Sequence, residues 1–277
     1  MELHDKKYRI GIALSGGGAR GFAHAGALKA IEEAGIKPDI IAGVSAGSVI
    51  SVLYAAGVKP DDMPKMFHGG KFSDFASFNG RGSLFQINRF KKFILKNLNG
   101  YKRLEDLPIP TYLGLTDLDN GIPAEFHEGE IGDIMMASCS IPIVFPPVNI
   151  GGTRYVDGGV LHNLPAWIIR DKCDYLIGIN CSPLPSDNGG SGIIDIALRT
   201  FSLMSKCNQA PDMEMCDTVV ELRDIAHYKV FNLKDIQKVF ISGYAATRRA
   251  LKNLPPYLLS NDKTHNISVD SASVEQQ

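Results

Sequence analysis

The sequence predicts an α/β fold built on a mainly parallel sheet. The first sixty residues alternate short apolar runs with helix-like runs, strand–helix–strand–helix, the pattern of parallel strands joined by helical crossovers. Glycine clusters at 16–18 and 43–47 fall where the first and second strands give way to helices. The 277 residues are 44% apolar with a net charge of −1. That composition supplies a sizeable core and argues against a general nucleic-acid binder.

Residues 9–14 (RIGIAL) are the first apolar run. Residues 22–34 read as a helix. Lys29, Glu32 and Glu33 share one face, and Ala23, Ala27, Ala30 and Ala34 line another that suits close packing on a sheet. Gly35 is a natural stop. Residues 39–43 give a second strand and 46–56 a second helix. The span 40–58 holds 19 residues without a charge, long enough to cross a bilayer on length alone. Its three glycines and three serines favour a buried strand, turn and helix, with the membrane span as the lesser alternative.

Residues 61–107 change character, with three phenylalanines between 72 and 78 and a glycine-rich turn at 80–82. The segment 75–104 has no Asp or Glu and seven basic residues: Arg81, Arg89, Lys91, Lys92, Lys96, Lys102 and Arg103. Within it Ile87, Phe90, Ile94 and Leu98 recur at helical spacing. Three readings stay open: a solvated face over a packed stripe, a helix that docks on anionic lipid, or a lid-like cap on a hydrophobic acyl site.

Residues 111–118 and 122–126 form a hairpin whose Asn120-Gly121 dipeptide predicts a type I′ turn. Asp117-Leu118-Asp119-Asn120-Gly121 hints at calcium but lacks the rest of such a loop. Residues 131–138 are helical, and Pro142, Pro146 and Pro147 force an extended loop. A short apolar run at 153–156 leads into Asp157, and 175–180 reads as a buried strand. Helical patterns at 193–206 and 234–252 flank a short strand at 218–222. The reading is one domain over 1–260 with a polar tail at 261–277. Five cysteines without a C-x-x-C pair fit reduced thiols and offer no zinc pattern. Residues 1–9 lack the apolar core of a signal peptide, so the expectation is cytoplasmic residence, with peripheral contact at the inner membrane surface as its variant.

Gly43-Val44-Ser45-Ala46-Gly47 fits Gly-x-Ser-x-Gly between a strand and a helix. A nucleophilic serine on such a sharp turn needs small neighbours, and the helix N-terminus favours developing negative charge. The alternative is a glycine-rich packing turn. Ser15-Gly16-Gly17-Gly18-Ala19-Arg20-Gly21 lets successive N–H groups converge on an anion, as an oxyanion hole requires. A dinucleotide fingerprint at Gly16, Gly18 and Gly21 is a rival, but the second strand ends at Gly43 rather than at an acid. A ligand-free βα turn is another. Arg20 either supports the loop, attracts a phosphate, or pairs with a nearby acid. Asp157-Gly158-Gly159 offers a carboxylate base with flexible neighbours, against the reading of an ordinary turn. His162 is a candidate third partner.

These three motifs, with Ala137-Ser138-Cys139-Ser140-Ile141-Pro142, resemble the patatin-like phospholipase family in order and type over residues 9–180. Ser140 stands where the family has Ala. The resemblance implies a three-layer α/β/α fold and a Ser-Asp dyad without a catalytic His. It implies Ser45 as nucleophile, Asp157 as base, and the N–H groups of Gly16, Gly17 and Gly18 as oxyanion donors. Gly43, Gly47, Gly158, Gly159 and Arg20 would support them. It further implies hydrolysis of lipid or lysophospholipid acyl esters without metal or cofactor. Two alternatives stay open: an acyltransferase using the same acyl-enzyme, and a non-catalytic lipid-binding module.

Overall fold

The computed structural model describes residues 7–75, 77–78, 83–184 and 190–259. Arg81, the 80–82 turn and the 261–277 tail lie outside the described residues. The strands are β1 (Tyr8–Leu14), β2 (Ile40–Val44), β3 (Ser77–Phe78), β4 (Phe85–Gln86), β5 (Thr111–Asp117), β6 (Ile122–Phe126), β7 (Val148–Ile150), β8 (Thr153–Asp157), β9 (Cys173–Asn180) and β10 (Thr218–Glu221). The helices are α1 (Phe22–Glu33), α2 (Ala46–Ala55), α3 (Met63–Met66), α4 (Phe72–Phe75), α5 (Asn88–Lys96), α6 (Ile131–Ser138), α7 (Ala166–Ile169), α8 (Ile193–Glu214), α9 (Ile236–Leu251) and α10 (Pro256–Leu259).

The main sheet has the order β10-β9-β1-β2-β5-β8-β7. The strands from β10 to β5 are parallel, while β6, β7 and β8 pair antiparallel. The parallel strands are apolar on both faces, as strands covered on both sides must be. Alternation divides their side chains between two cores. Ile10, Ile12, Leu14, Ile41, Ile177 and Ile179 join the core that also holds residues of α1, α2, α6 and α9. Ala13, Ile40, Ala42 and Leu176 join the core beneath α7. Helices therefore cover both faces, giving the three layers that the family resemblance implies. The uncharged 40–58 run resolves into β2, a turn and buried α2. Among the described residues no helix is long and apolar enough to cross a membrane.

One feature of the register positions the site. β6 pairs along one edge of β5, with Gly114 opposite Glu125 and Leu115 opposite Ala124. The other edge is shared. β2 occupies its first part, ending with Val44 opposite Gly114. β8 runs the opposite way along its second part, ending with Asp157 opposite Leu115. Two strands thus run head-on along a single neighbour and stop at consecutive residues. Ser45 and Asp157, 112 positions apart in sequence, follow from those two ends.

Two local expectations are corrected. The β5–β6 hairpin pairs Asp117 with Ile122, so residues 118–121 make the turn. A type I′ turn needs positive φ at both central residues, yet Gly121 has φ of 69° and Asn120 is not left-handed. The cause is Asp117, whose Oδ1 accepts the N–H groups of Asp119 and Asn120 at 3.0 and 2.9 Å. Those bonds explain the acidic run as turn chemistry. Helix α8 continues to Glu214, past Pro211, well beyond the predicted end at 206. Side-chain bonds on its inner face hold the extra turns, including Asn180 Nδ2 to Gln209 Oε1 at 3.0 Å.

Candidate active site

Ser45 joins β2 to α2 with φ 53° and ψ −122°, a conformation that L-residues occupy only when their surroundings enforce it. Those surroundings are specific. The Ser45 N–H donates to Ser138 Oγ at 2.9 Å, and that hydroxyl donates on to the Gly114 carbonyl at 2.8 Å. The Ser45 carbonyl accepts the Ser48 hydroxyl at 2.6 Å and the Cys139 thiol at 3.3 Å. A Cβ at Gly43 would stand 2.4 Å from the Gly47 carbonyl oxygen, and one at Gly47 would stand 2.1 Å from that of Leu14. Both flanking glycines are therefore required by contact with backbone.

The glycine loop lies beside this turn. A Cβ at Gly16 would stand 3.2 Å from the Ser45 Cβ. The Gly16 N–H, however, donates to the Asn163 carbonyl at 3.1 Å. Of the expected oxyanion trio, Gly16 is thus engaged in holding the loop. The N–H groups of Gly17 and Gly18 have no acceptor among the described residues. Gly18 adopts φ of 59°, and the following amide, Ala19, donates to Val230 at 2.7 Å.

A buried polar group supports the loop from behind. His24 Nε2 lies 2.8 Å from the Ser15 carbonyl and 3.1 Å from the Cys181 thiol. Burial lowers the His24 pKa to about 4, so the ring is neutral near pH 7. A carbonyl can only accept, which places the proton on Nε2. Arg20, 2% exposed, donates to the Pro183 carbonyl at 2.9 Å, and burial lowers its pKa. It makes no ion pair among the described residues, so the reading of Arg20 paired with an acid is corrected: the guanidinium is bonded to backbone.

Asp157 closes β8. Its N–H donates to the Ser140 carbonyl at 3.0 Å, and its Oδ1 accepts the Gly159 N–H at 2.8 Å. The side chain is fully buried. Burial raises its pKa to about 7, opposed first by the Ser45 hydroxyl and then by the Gly159 N–H. Ser45 is thus close enough to bias the ionisation of Asp157. Oδ2 nevertheless has no partner of ordinary hydrogen-bond geometry among the described residues. A Cβ at Gly158 would meet the Gly114 carbonyl oxygen at 2.6 Å. His162 does not join the pair. Its Nδ1 meets Asp212 Oδ2 at 3.1 Å and its ring packs on Trp167.

Ser45 and Gly18 line an apolar cavity of about 140 Å³. Phe67 walls it with Phe75, Ile87 and Phe90, and the Phe67 ring packs on Phe22 and Phe93 at 5.1 and 4.9 Å. Residues from the 75–104 segment therefore do wall the site. The same segment also has its packed stripe, since Ile94 and Leu98 are fully buried and Lys91 pairs with Asp133. The segment thus supplies both a packed stripe and part of the cavity wall.

Sequence reasoning did not single out Ser138, although it lies in the 137–142 block. Nor did it find Asn163, which nothing in its local sequence marks. Asn163 Oδ1 fills the spaces that side chains at Gly16 and Gly159 would occupy, at 2.5 and 2.9 Å from the Cβ positions.

Comparison with known proteins bears on the family and the fold. A lysophospholipase of Aspergillus fumigatus is 34% identical over 167 residues, covering 56% of this chain and 11% of that protein. An uncharacterised NTE family protein of Mycobacterium bovis is 26% identical over 280 residues, covering 89% of this chain and 47% of that protein. The chain thus spans less than half the length of either relative. The crystal structure of VipD from Legionella pneumophila superposes with a TM-score of 0.57 at 15% identity, covering 89% of this chain and 67% of VipD, a likeness of fold. The family model described as patatin-like phospholipase matches residues 12–169, the stretch that runs from β1 through both site strands to α7. With more than half of its length matched there, the chain belongs to the patatin-like phospholipase family.

Proposed function

We propose that this protein is a serine hydrolase of fatty-acyl esters, with lysophospholipids or phospholipids as its substrate class. The observation that carries this reading is Ser45, held at φ 53° on the wall of an apolar cavity and near enough to buried Asp157 to oppose the rise in its pKa. The family and the lysophospholipase relative support the substrate class.

In this mechanism the acyl chain enters the aromatic-walled cavity and its carbonyl carbon lies against Ser45. Ser45 Oγ attacks that carbon while Asp157 takes the hydroxyl proton. The carbonyl becomes an oxyanion, received by the N–H groups of Gly17 and Gly18; one such donor typically contributes about 10²–10³ in rate. Collapse breaks the ester bond, and Asp157 returns the proton to the leaving alcohol. The acyl-enzyme then reacts with water, whose proton passes to Asp157, and a second collapse releases the fatty acid and restores Ser45. A carboxylate is a weaker base than imidazole, and burial narrows that gap by raising the Asp157 pKa to about 7.

The test is turnover of lysophosphatidylcholine by the full chain, followed as released fatty acid. The expected result is release that Ser45→Ala abolishes and Asp157→Asn lowers by at least about 10³. Release unaffected by either substitution overturns the reading. Transfer of the acyl group to an added alcohol in preference to water identifies the acyltransferase instead.

A further inference from the structure

The helix α8 lies beyond the residues that match the family model, yet its inner face is bonded to the loop that follows Asp157. Three positions on that face, Ser205, Asn208 and Asp212, recur at spacings of three and four. Ser205 Oγ donates to the Gly159 carbonyl at 3.1 Å. Asp212 meets His162 Nδ1. Asn208 does the most. Its Nδ2 donates to the carbonyls of Gly159 and Val160, each at 3.0 Å, and its Oδ1 accepts the Asn163 N–H at 3.1 Å.

The two ends of that grip lead to different halves of the site. Gly159 is the residue whose N–H bonds the Asp157 carboxyl. Asn163 is the residue whose carbonyl holds the Gly16 N–H. One side chain therefore ties together the carboxylate loop and the loop that presents the Gly17 and Gly18 amides. All three of its bonds are made to backbone, so they constrain the path of the loop directly.

Resting on the hydrolase reading above, we propose that Asn208 is a positioning residue for the reaction, holding the Asp157 loop and the glycine loop in one register. It touches neither substrate nor the reacting atoms. Its effect passes through the Gly159 N–H and the Gly16 N–H. Loss of the grip lets Gly159 move away from Asp157. The groups facing that carboxyl are the Ser45 hydroxyl, the Gly159 amide and the Cys139 thiol, whose ionisation Asp157 itself opposes. With the amide withdrawn, the carboxylate loses a stabilising donor and holds its proton to higher pH.

The experiment compares wild type and Asn208→Ala on a p-nitrophenyl acyl ester between pH 5 and 9, with circular dichroism melts of both. The expected result is a kcat lower by about 10- to 100-fold, a KM within about twofold, and an acidic limb displaced to higher pH. A kcat within about twofold of wild type overturns the proposal. So does a lower kcat with the acidic limb unmoved, because a purely structural loss leaves that limb in place. If Asn208→Ala does not fold, Asn208→Ser, which keeps one short donor on the same face, is read in its place. It is expected to show the same displacement at smaller size, and an unmoved limb overturns the proposal equally. A folded wild type that shows no turnover overturns the hydrolase reading and this proposal together. An active wild type with an unmoved variant overturns this proposal alone.

Discussion

Ser45 combines a backbone conformation suited to glycine with a side chain that the proposed chemistry requires. Holding an L-residue at φ 53° costs roughly 1–3 kcal/mol. Ser45→Gly removes that cost together with the hydroxyl. The expected outcome is a protein that melts higher than wild type, by about 1 kcal/mol of added stability, and has no esterase activity. A thermal melt beside an activity assay checks both halves. Asp157 makes the complementary case through pH. Its pKa in the folded chain, about 7, lies above the ordinary carboxyl value of 3.8 because burial disfavours the charge. Below about pH 4 the carboxyl is neutral in both folded and unfolded chains, and its stability contribution is fully present. As pH rises toward and through about 7, the unfolded chain releases a proton that the folded chain keeps or yields at cost, and stability falls. Asp157→Asn removes that penalty. Melts at pH 8 are expected to show the variant more stable than wild type, by on the order of a few kcal/mol at most, with the difference vanishing near pH 4. For wild-type turnover the sign is opposite: a base that must be ionised gives activity that rises with pH through about 7.

At the scale of elements, the site depends on what α6 offers to the β2–α2 turn. Ser138 ends α6, and its hydroxyl is the sole acceptor recorded for the Ser45 N–H among the described residues. Ser138→Ala leaves that amide buried without a partner, which costs about 1–3 kcal/mol. The expected outcome is a lower melting temperature and a reduced rate of Ser45 acylation, measured by stopped-flow release of p-nitrophenol. The elements themselves were largely legible. The helices at 22–34, 46–56 and 131–138 appear within one residue of their predicted ends, because apolar spacing and glycine stops are local signals. The hairpin turn escaped because Asp117 competes for the same backbone amides that Asn-Gly would arrange. The end of α8 escaped because Pro211 reads as a breaker, while the bonds that hold the last turns come from strands and loops distant in sequence.

At the scale of the molecule, the sheet converts a long sequence separation into proximity. β2 and β8 meet end to end along β5, and only an antiparallel strand entering a parallel sheet makes that meeting. Ser45 was legible as a residue because its glycines are its neighbours in sequence. Asp157 was legible mainly through the family likeness, since an Asp-Gly-Gly turn alone says little. Ser138, Asn163 and Asn208 were not legible, because each acts by a hydrogen bond to a segment 24 or more positions away. The central claim, that this meeting of strand ends makes Ser45 the nucleophile, is tested most directly by mass spectrometry after treatment with a fluorophosphonate. The assignment predicts one covalent adduct on Ser45 in folded wild type, none at that position in Ser45→Ala, and much slower labelling in Asp157→Asn. A folded wild type that takes no adduct, or takes it on another residue while Ser45 stays unmodified, contradicts it.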